Sequence, residues 1–268
     1  MLIAVDIGNS RMKFGLFERH SPQGASIPEL PVCLRSLAIR LEQPLPWDEL
    51  TRWAAAAPVA ISQVIVAAVN PRGVEALLAG WPQTGWPEPR LLRRPEELPL
   101  KIDVAAPERV GIDRLLNAVA GNILRPPGQA LVIIDSGTAT TVDYVSDSGV
   151  FEGGAILPGF ELSARALHAY TALLPLISTE DLAMNPPPAL GNSTRAALQS
   201  GIFWGQIGAI KEIASRLSAG AGGDPLILLT GGAAPLLEPH LTPPPRHEPR
   251  LALQGLALAA KYDSHGQQ

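Results

Sequence analysis

One short pattern occurs twice in this chain, half a chain apart. Leu2-Ile3-Ala4-Val5-Asp6-Ile7-Gly8-Asn9-Ser10 is matched by Leu131-Val132-Ile133-Ile134-Asp135-Ser136-Gly137-Thr138-Ala139, 129 residues further on in a chain of 268. Each copy is an apolar run, an Asp-x-Gly followed by small polar residues, and a second apolar run (Met12–Phe17 and Thr141–Val145). A short, continuous run of Val, Ile and Leu suits a strand covered on both faces. Glycine after the acid lets the chain reverse tightly. A duplicated strand–turn–strand predicts two domains of similar topology facing each other across a cleft. The breaker Arg125-Pro126-Pro127-Gly128 sets the expected boundary, giving domains 1–127 and 128–268.

The remaining pattern alternates strands with helices. Val64–Val69 and Leu226–Leu229 read as further strands. Ile112, Leu115, Leu116, Val119 and Ile123 recur at helical spacing, and Leu162–Leu174, Thr194–Leu217 and Leu251–Tyr262 are further helix candidates. The sum is an α/β protein. Pro186–Pro188 and Pro243–Pro245 stop helices and stiffen the loops they occupy. Ser21–Pro46 is proline-rich and aperiodic, and reads as surface loops with one weak strand. His168, on the helix Leu162–Leu174, reads as a surface or packing residue, Phe203 and Trp204 as core or interface aromatics, and Arg90-x-x-Arg93-Arg94 as a solvated loop.

Composition removes several function classes. With 46% hydrophobic residues the chain can bury a sizeable core. A formal charge of −4 disfavours nucleic acid or an anionic membrane as a partner. The single cysteine, Cys33, allows neither an internal disulfide nor a cysteine zinc site, which points to a reducing cytoplasm. Five scattered histidines (His20, His168, His240, His247, His265) lack metal-ligand spacing. Asp6 interrupts the first apolar run too early for a signal peptide, and no run approaches the roughly 18 apolar residues of a membrane span.

The repeated turn suits phosphate chemistry. Its glycine allows backbone N–H groups to point at phosphate oxygens, and Asn9, Ser10 and Thr138 add side-chain donors. Asp6 and Asp135 can hold Mg²⁺ directly or through water, and Lys13 on the following strand can meet a phosphate as a point charge. Neither Gly-x-x-x-x-Gly-Lys-[Ser/Thr] nor Gly-x-Gly-x-x-Gly occurs, which disfavours P-loop and Rossmann sites.

These turns resemble the two phosphate motifs of the acetate and sugar kinase/heat-shock 70/actin superfamily, and Leu228-Leu229-Thr230-Gly231-Gly232-Ala233-Ala234 is similar to its later adenosine motif. More closely, the chain resembles the type III pantothenate kinases. The motifs are Asp6-Ile7-Gly8-Asn9-Ser10, Gly111-Ile112-Asp113-Arg114, Asp135-Ser136-Gly137-Thr138-Ala139-Thr140-Thr141, Gly153-Gly154-Ala155-Ile156-Leu157-Pro158-Gly159 and Gly191-Asn192-Ser193-Thr194, in family order. The resemblance implies two ribonuclease-H-like (actin-like) domains with a nucleotide cleft between them. It implies that Asp6, Ile7, Gly8, Asn9, Ser10, Arg11, Met12 and Lys13 hold the ATP phosphates, with Thr138 as a second ATP contact. Asp113 would be the general base for the pantothenate hydroxyl. Gly111, Ile112, Arg114 and Thr194 would bind pantothenate, and Asp135 a monovalent cation, K⁺ or NH₄⁺. ATP, Mg²⁺ and a homodimer complete what it implies, in the cytoplasm.

Two positions depart from the family pattern. Val104 stands three residues before Pro107, where the family often has a tyrosine lining the pantothenate pocket, and Ser136 replaces a larger apolar residue. Val104 leaves open a kinase of the same superfamily acting on another small hydroxy acid. A non-catalytic regulatory accessory factor is the alternative from another class, and the retention of Asp6, Asp113, Arg114 and Asp135 argues against it.

Overall fold

A computed structural model describes residues 1–18, 29–82, 85–183 and 185–262. His20, His265 and residues 21–28 of the Ser21–Pro46 stretch lie outside the described residues. The chain divides into two compact units: Met1–Arg125 joined by the segment that begins at Arg250, and Pro126–Pro249.

In unit 1 the elements run β1 (Leu2–Ile7), β2 (Arg11–Phe17), β3 (Cys33–Arg40), α1 (Trp47–Ala56), β4 (Gln63–Ala68), α2 (Pro71–Ala79), β5 (Pro89–Leu92), the two-residue β6 (Lys101–Ile102) and α3 (Ile112–Leu124). The chain's last helix, α8 (Leu251–Ala259), also belongs here. The sheet order is β3-β2-β1-β4-β5. β1, β2 and β3 pair antiparallel, and β1, β4 and β5 pair parallel. Ile3, Val5, Phe14, Val64, Val66 and Trp53 are among the residues that fill the core.

Unit 2 contains β7 (Leu131–Ser136), β8 (Ala139–Val145), β9 (Val150–Pro158), α4 (Phe160–Ala169), α5 (Thr179–Ala183), α6 (Thr194–Ser218), β10 (Leu226–Thr230), α7 (Ala234–Leu237) and β11 (Arg246–His247). Its strands run β9-β8-β7-β10-β11, with β7, β8 and β9 antiparallel and β7, β10 and β11 parallel. That is the order and sense of unit 1, strand for strand. The sequence duplication is therefore a duplication of topology. Val132, Ile134, Val142 and Leu229 form one core under α6, which contributes Ile202, Phe203, Ile207 and Ile210.

The expected domain limits differ from these units at the C-terminus. α8 returns to unit 1 because its face packs on α3: a Cβ on Gly255 would strike the Leu116 carbonyl. α4 stops at Ala169, short of the expected Leu174, and the His168 Nδ1 lies 2.8 Å from the Leu174 carbonyl in the loop beyond. Arg90 is not in a loop but in β5, with its guanidinium 3.6 Å from Glu97 Oε2. Among the described residues of Ser21–Pro46 there is one eight-residue strand, β3. Phe203 is buried, and edge-on contacts join it to Trp204 and His240.

Candidate functional site

The first Asp-x-Gly is a hairpin turn at the carboxyl end of β1. Ile7 pairs with Met12, and Gly8, Asn9, Ser10 and Arg11 make the turn between them. The Gly8 amide donates to the Arg11 carbonyl at 2.9 Å. Asn9, Ser10 and Arg11 are exposed, whereas Ile7 and Met12 bury their side chains in the core. Only the backbone of those two can therefore meet a ligand. Asp6, 3% exposed, has Lys13 directly across from it on β2. Their Nζ–Oδ2 distance is 3.1 Å. A carboxylate this deep needs such a cation, because an unpaired buried charge is strongly destabilising.

The second predicted cluster in unit 1 opens α3. Gly111 is the N-cap residue, so Asp113 occupies the first turn and does not cap the helix. Its Oδ1 accepts the Arg114 amide at 2.9 Å. A Cβ on Gly111 would lie 2.6 Å from that same oxygen, so the Gly-x-Asp spacing is what gives the carboxylate room. Gly111 also faces Val69, and the Val69 amide donates to the Ile7 carbonyl. The start of α3 and the Asp6 turn thus share one edge of the sheet, the carboxyl ends of the parallel strands β1 and β4. Ligands of open α/β sheets gather at that edge. Beside it, Val66, Ala68, Val69, Leu91, Arg93 and Ile112 help to line a cavity of about 440 Å³. Ile112 is buried at 9% exposure, and Val104 is half-buried in a bend.

In unit 2 the matching turn is one residue shorter. Ser136 pairs with Thr140, leaving Gly137, Thr138 and Ala139 as the turn, and the Gly137 amide donates to the Ala139 carbonyl at 2.9 Å. Thr138 is exposed, and its carbonyl accepts the Gly159 amide at 3.0 Å. A Cβ on Gly159 would lie 2.7 Å from that carbonyl oxygen, which gives the glycine-rich stretch ending at Gly159 a packing reason. Asp135, half-buried, faces Thr141 on β8, where Lys13 faces Asp6 in unit 1. The Thr141 hydroxyl donates to Asp143 Oδ2 at 3.0 Å. Asp143 is fully buried and has no role in the sequence reading. Its signal was its place two residues after Thr141 on a strand, hence on the same face.

Thr194 begins α6, with Ser193 as its N-cap accepting the Ala196 amide at 3.2 Å. Thr194 is exposed. Gly191 packs so closely on this first turn that a Cβ would strike the Ala197 amide. Hydrogen bonds from Ser178, followed by Arg195 at 2.6 Å, hold the Asp181 carboxyl below its usual range and tie the segment before α6 to that turn. Within unit 1 the structure brings together the Asp6–Lys13 turn and Gly111–Arg114. Within unit 2 it puts Asp135 and Thr138 on one hairpin, while α6 covers the opposite face of the sheet from Asp135.

A family model described as type III pantothenate kinase matches residues 2–216. The type III pantothenate kinase of Rhizorhabdus wittichii is 33% identical over 271 residues, covering 96% of this chain and 96% of its own. That of Paramagnetospirillum magneticum is 37% identical over 240 residues, covering 88% of this chain and 87% of its own. Among solved structures, the activator of 2-hydroxyisocaproyl-CoA dehydratase from Clostridium difficile, with bound ADPNP, is similar with a TM-score of 0.51 at 12% identity, over 98% of this chain and 94% of its own. A glucokinase from an Antarctic psychrotroph gives 0.51 at 10% identity, over 97% and 98%. These last two show the fold, that of the actin-like ATPases and sugar kinases.

Proposed function

The chain belongs to the type III pantothenate kinase family, and from that membership we propose how its own residues serve the reaction. The reaction is the ATP-dependent phosphorylation of the primary hydroxyl of pantothenate to 4′-phosphopantothenate, the first step of coenzyme A biosynthesis. Phosphoryl transfer asks for positioning and charge neutralisation more than for covalent chemistry. The turn Asp6–Lys13, closed by the Gly8 amide on the Arg11 carbonyl, holds the ATP phosphates, with Asn9, Ser10 and Arg11 as exposed donors and Lys13 as the fixed positive charge. Thr138 is the second ATP contact. The Asp113 carboxylate takes the proton from the attacking hydroxyl as its oxygen bonds the γ-phosphorus, and ADP leaves with the electrons of the bond that breaks. The amino end of α3 favours the negative charge of Asp113 there. Arg114 grips the pantothenate carboxylate, Gly111 and Ile112 supply backbone contacts beside it, and the Thr194 hydroxyl is a further pantothenate contact.

Kinase chemistry also takes a divalent metal, which neutralises phosphate charge. Among the described residues no group of three or more His, Cys, Asp or Glu comes together. Mg²⁺ is ordinarily held by one or two carboxylates, waters and the phosphates themselves. Asp135 is the residue for a monovalent cation, K⁺ or NH₄⁺: its Oδ1 occupies the space that a Cβ on Gly231 would invade at 2.5 Å. A homodimer in the cytoplasm completes the proposal. Tyr170 and Leu173, 90% and 91% exposed, give unit 2 an apolar surface for a second copy to cover. No helix among the described residues is long and apolar enough to cross a membrane.

The observation that carries these roles is the edge shared by the Asp6 turn and the Gly111–Asp113 cradle. The test is ADP release by the purified protein with ATP, Mg²⁺ and pantothenate, in potassium or ammonium against sodium. Turnover that requires pantothenate and the larger cations is expected. ADP release indifferent to pantothenate would overturn the acceptor assignment, and indifference to the cation would overturn the role of Asp135. Val104 favours one second reading, a different small hydroxy acid as acceptor, which the same assay tests by substitution of the acceptor.

A further inference from the structure

Asp135 has a threonine in register on each side. Its Cα partners are Thr141 on β8 and Thr230 on β10. Residues in register on adjacent strands project from the same face of the sheet. The alternating residues Val132, Ile134, Val142 and Leu229 belong to the core on the opposite face. Thr230 is only 4% exposed. The Thr141 hydroxyl donates its one proton to Asp143 Oδ2 at 3.0 Å, which leaves lone pairs of its oxygen to be offered elsewhere. Gly231 follows Thr230 with φ at +92°, and its bare Cα lets Asp135 Oδ1 lean over the end of β10. One carboxylate and two hydroxyl oxygens, without nitrogen or sulfur, make a donor set for a hard cation.

We propose that Thr230, with Thr141, completes the monovalent-cation site of Asp135, the Thr230 hydroxyl oxygen binding the ion directly. The inference rests on the reading of Asp135 given above. It gives Thr230 a cation role in place of the nucleotide role that its Leu228–Ala234 motif implies. Asp143 is a positioning residue, which turns the Thr141 proton away from the ion.

Thermal melting of the full chain without nucleotide, titrated with potassium chloride against sodium chloride at constant ionic strength, reads the cation affinity from the rise in Tm. The wild type is expected to gain Tm with potassium and not with sodium, and Asp135→Asn to lose that gain. Thr230→Val should need roughly tenfold more potassium for the same rise, while Thr230→Ser, which keeps the hydroxyl, should titrate like the wild type. Calorimetric ATP affinity of Thr230→Val in saturating potassium should be unchanged. If Thr230→Val does not fold, Thr230→Ala makes the same comparison. A Thr230→Val protein that titrates like the wild type overturns the proposal. So does a Thr230→Ser protein that loses as much as Thr230→Val, or weakened ATP binding in saturating potassium. A wild type without any potassium-specific rise overturns the reading of Asp135 itself, and the proposal falls with it.

Discussion

The two hairpins of the repeat share a backbone plan and differ in what faces the aspartate. In unit 1, Asp6 is buried and faces Lys13, which reaches it at 3.1 Å. In unit 2, Asp135 is half-buried and faces Thr141. One layer toward the turn, the contrast reverses: unit 1 pairs the apolar Ile7 with Met12, and unit 2 pairs Ser136 with Thr140, whose hydroxyls meet at 3.0 Å with no exposure. A duplicated fold has thus kept its strand order and exchanged its charges. The first copy carries its own cation as a lysine, and the second presents oxygens. The one-residue difference in turn length is what sets Lys13, and not Met12, opposite Asp6.

The largest effect expected is on chemistry assigned to unit 1 alone. Asp113→Asn should lower kcat by about 10²–10⁴ with ATP binding retained, as steady-state rates and calorimetry would reveal; a near-normal kcat removes Asp113 as the base. Next come the two glycines around the second hairpin. Gly231→Ala meets both a positive φ and the Ser136 carbonyl, and should cost about 3 kcal/mol in urea unfolding. Gly137→Ala finds nothing nearer than 3.6 Å and should cost under about 1 kcal/mol. Equal losses would mean that the tight contact is at the turn and not at the end of β10.

Lys13→Met tests the charge contrast directly. It leaves Asp6 buried without that cation, and about 2 kcal/mol of stability should be lost, a figure reduced because the lysine side chain is 36% exposed. Thr141→Val, at the same register in unit 2, should cost about half as much. For the hydroxyl pair, Thr140→Val alone should cost about 1–1.5 kcal/mol. Ser136→Ala with Thr140→Val should cost less than the sum of the two single changes, since an orphaned buried hydroxyl is worse than none. The smallest effect belongs to Val104→Tyr, which should tighten pantothenate by about 0.5–1.5 kcal/mol if a ring at this position reaches the acceptor. An unchanged KM would show that it does not.

Legibility followed the locality of the signal. β1, β4, β7 and β10 are short runs buried on both faces, so composition alone marks them. The spacing of Ile112, Leu115, Leu116 and Val119 marks α3, because all four are buried. β9 has no such local mark: Gly153 and Gly154 lower its strand character, yet Gly154 is there because a Cβ would lie 2.6 Å from Asp143 Oδ1. The local mark of α2 is Asn70-Pro71, an N-cap whose side chain accepts the Arg72 amide at 3.0 Å followed by proline at the first helical position. At the site, the motifs marked both aspartate turns and Asp113. They did not mark Asp143, whose significance depends on a neighbour two residues away on the same face of a strand.

The duplicated strand–turn–strand, the α/β alternation and the positions of the acidic turns are legible in the residues alone, because each is written within a few places along the chain. Long-range packing supplies the rest. It draws α8 back onto α3 through the fit of Gly255 to the Leu116 carbonyl, across more than half the chain. It sets Thr141 and Thr230 on either side of Asp135, and Lys13 across from Asp6. Those are facts of register between strands, and register is fixed by which faces are buried and how long each turn is, so no local reading of residue types could supply them.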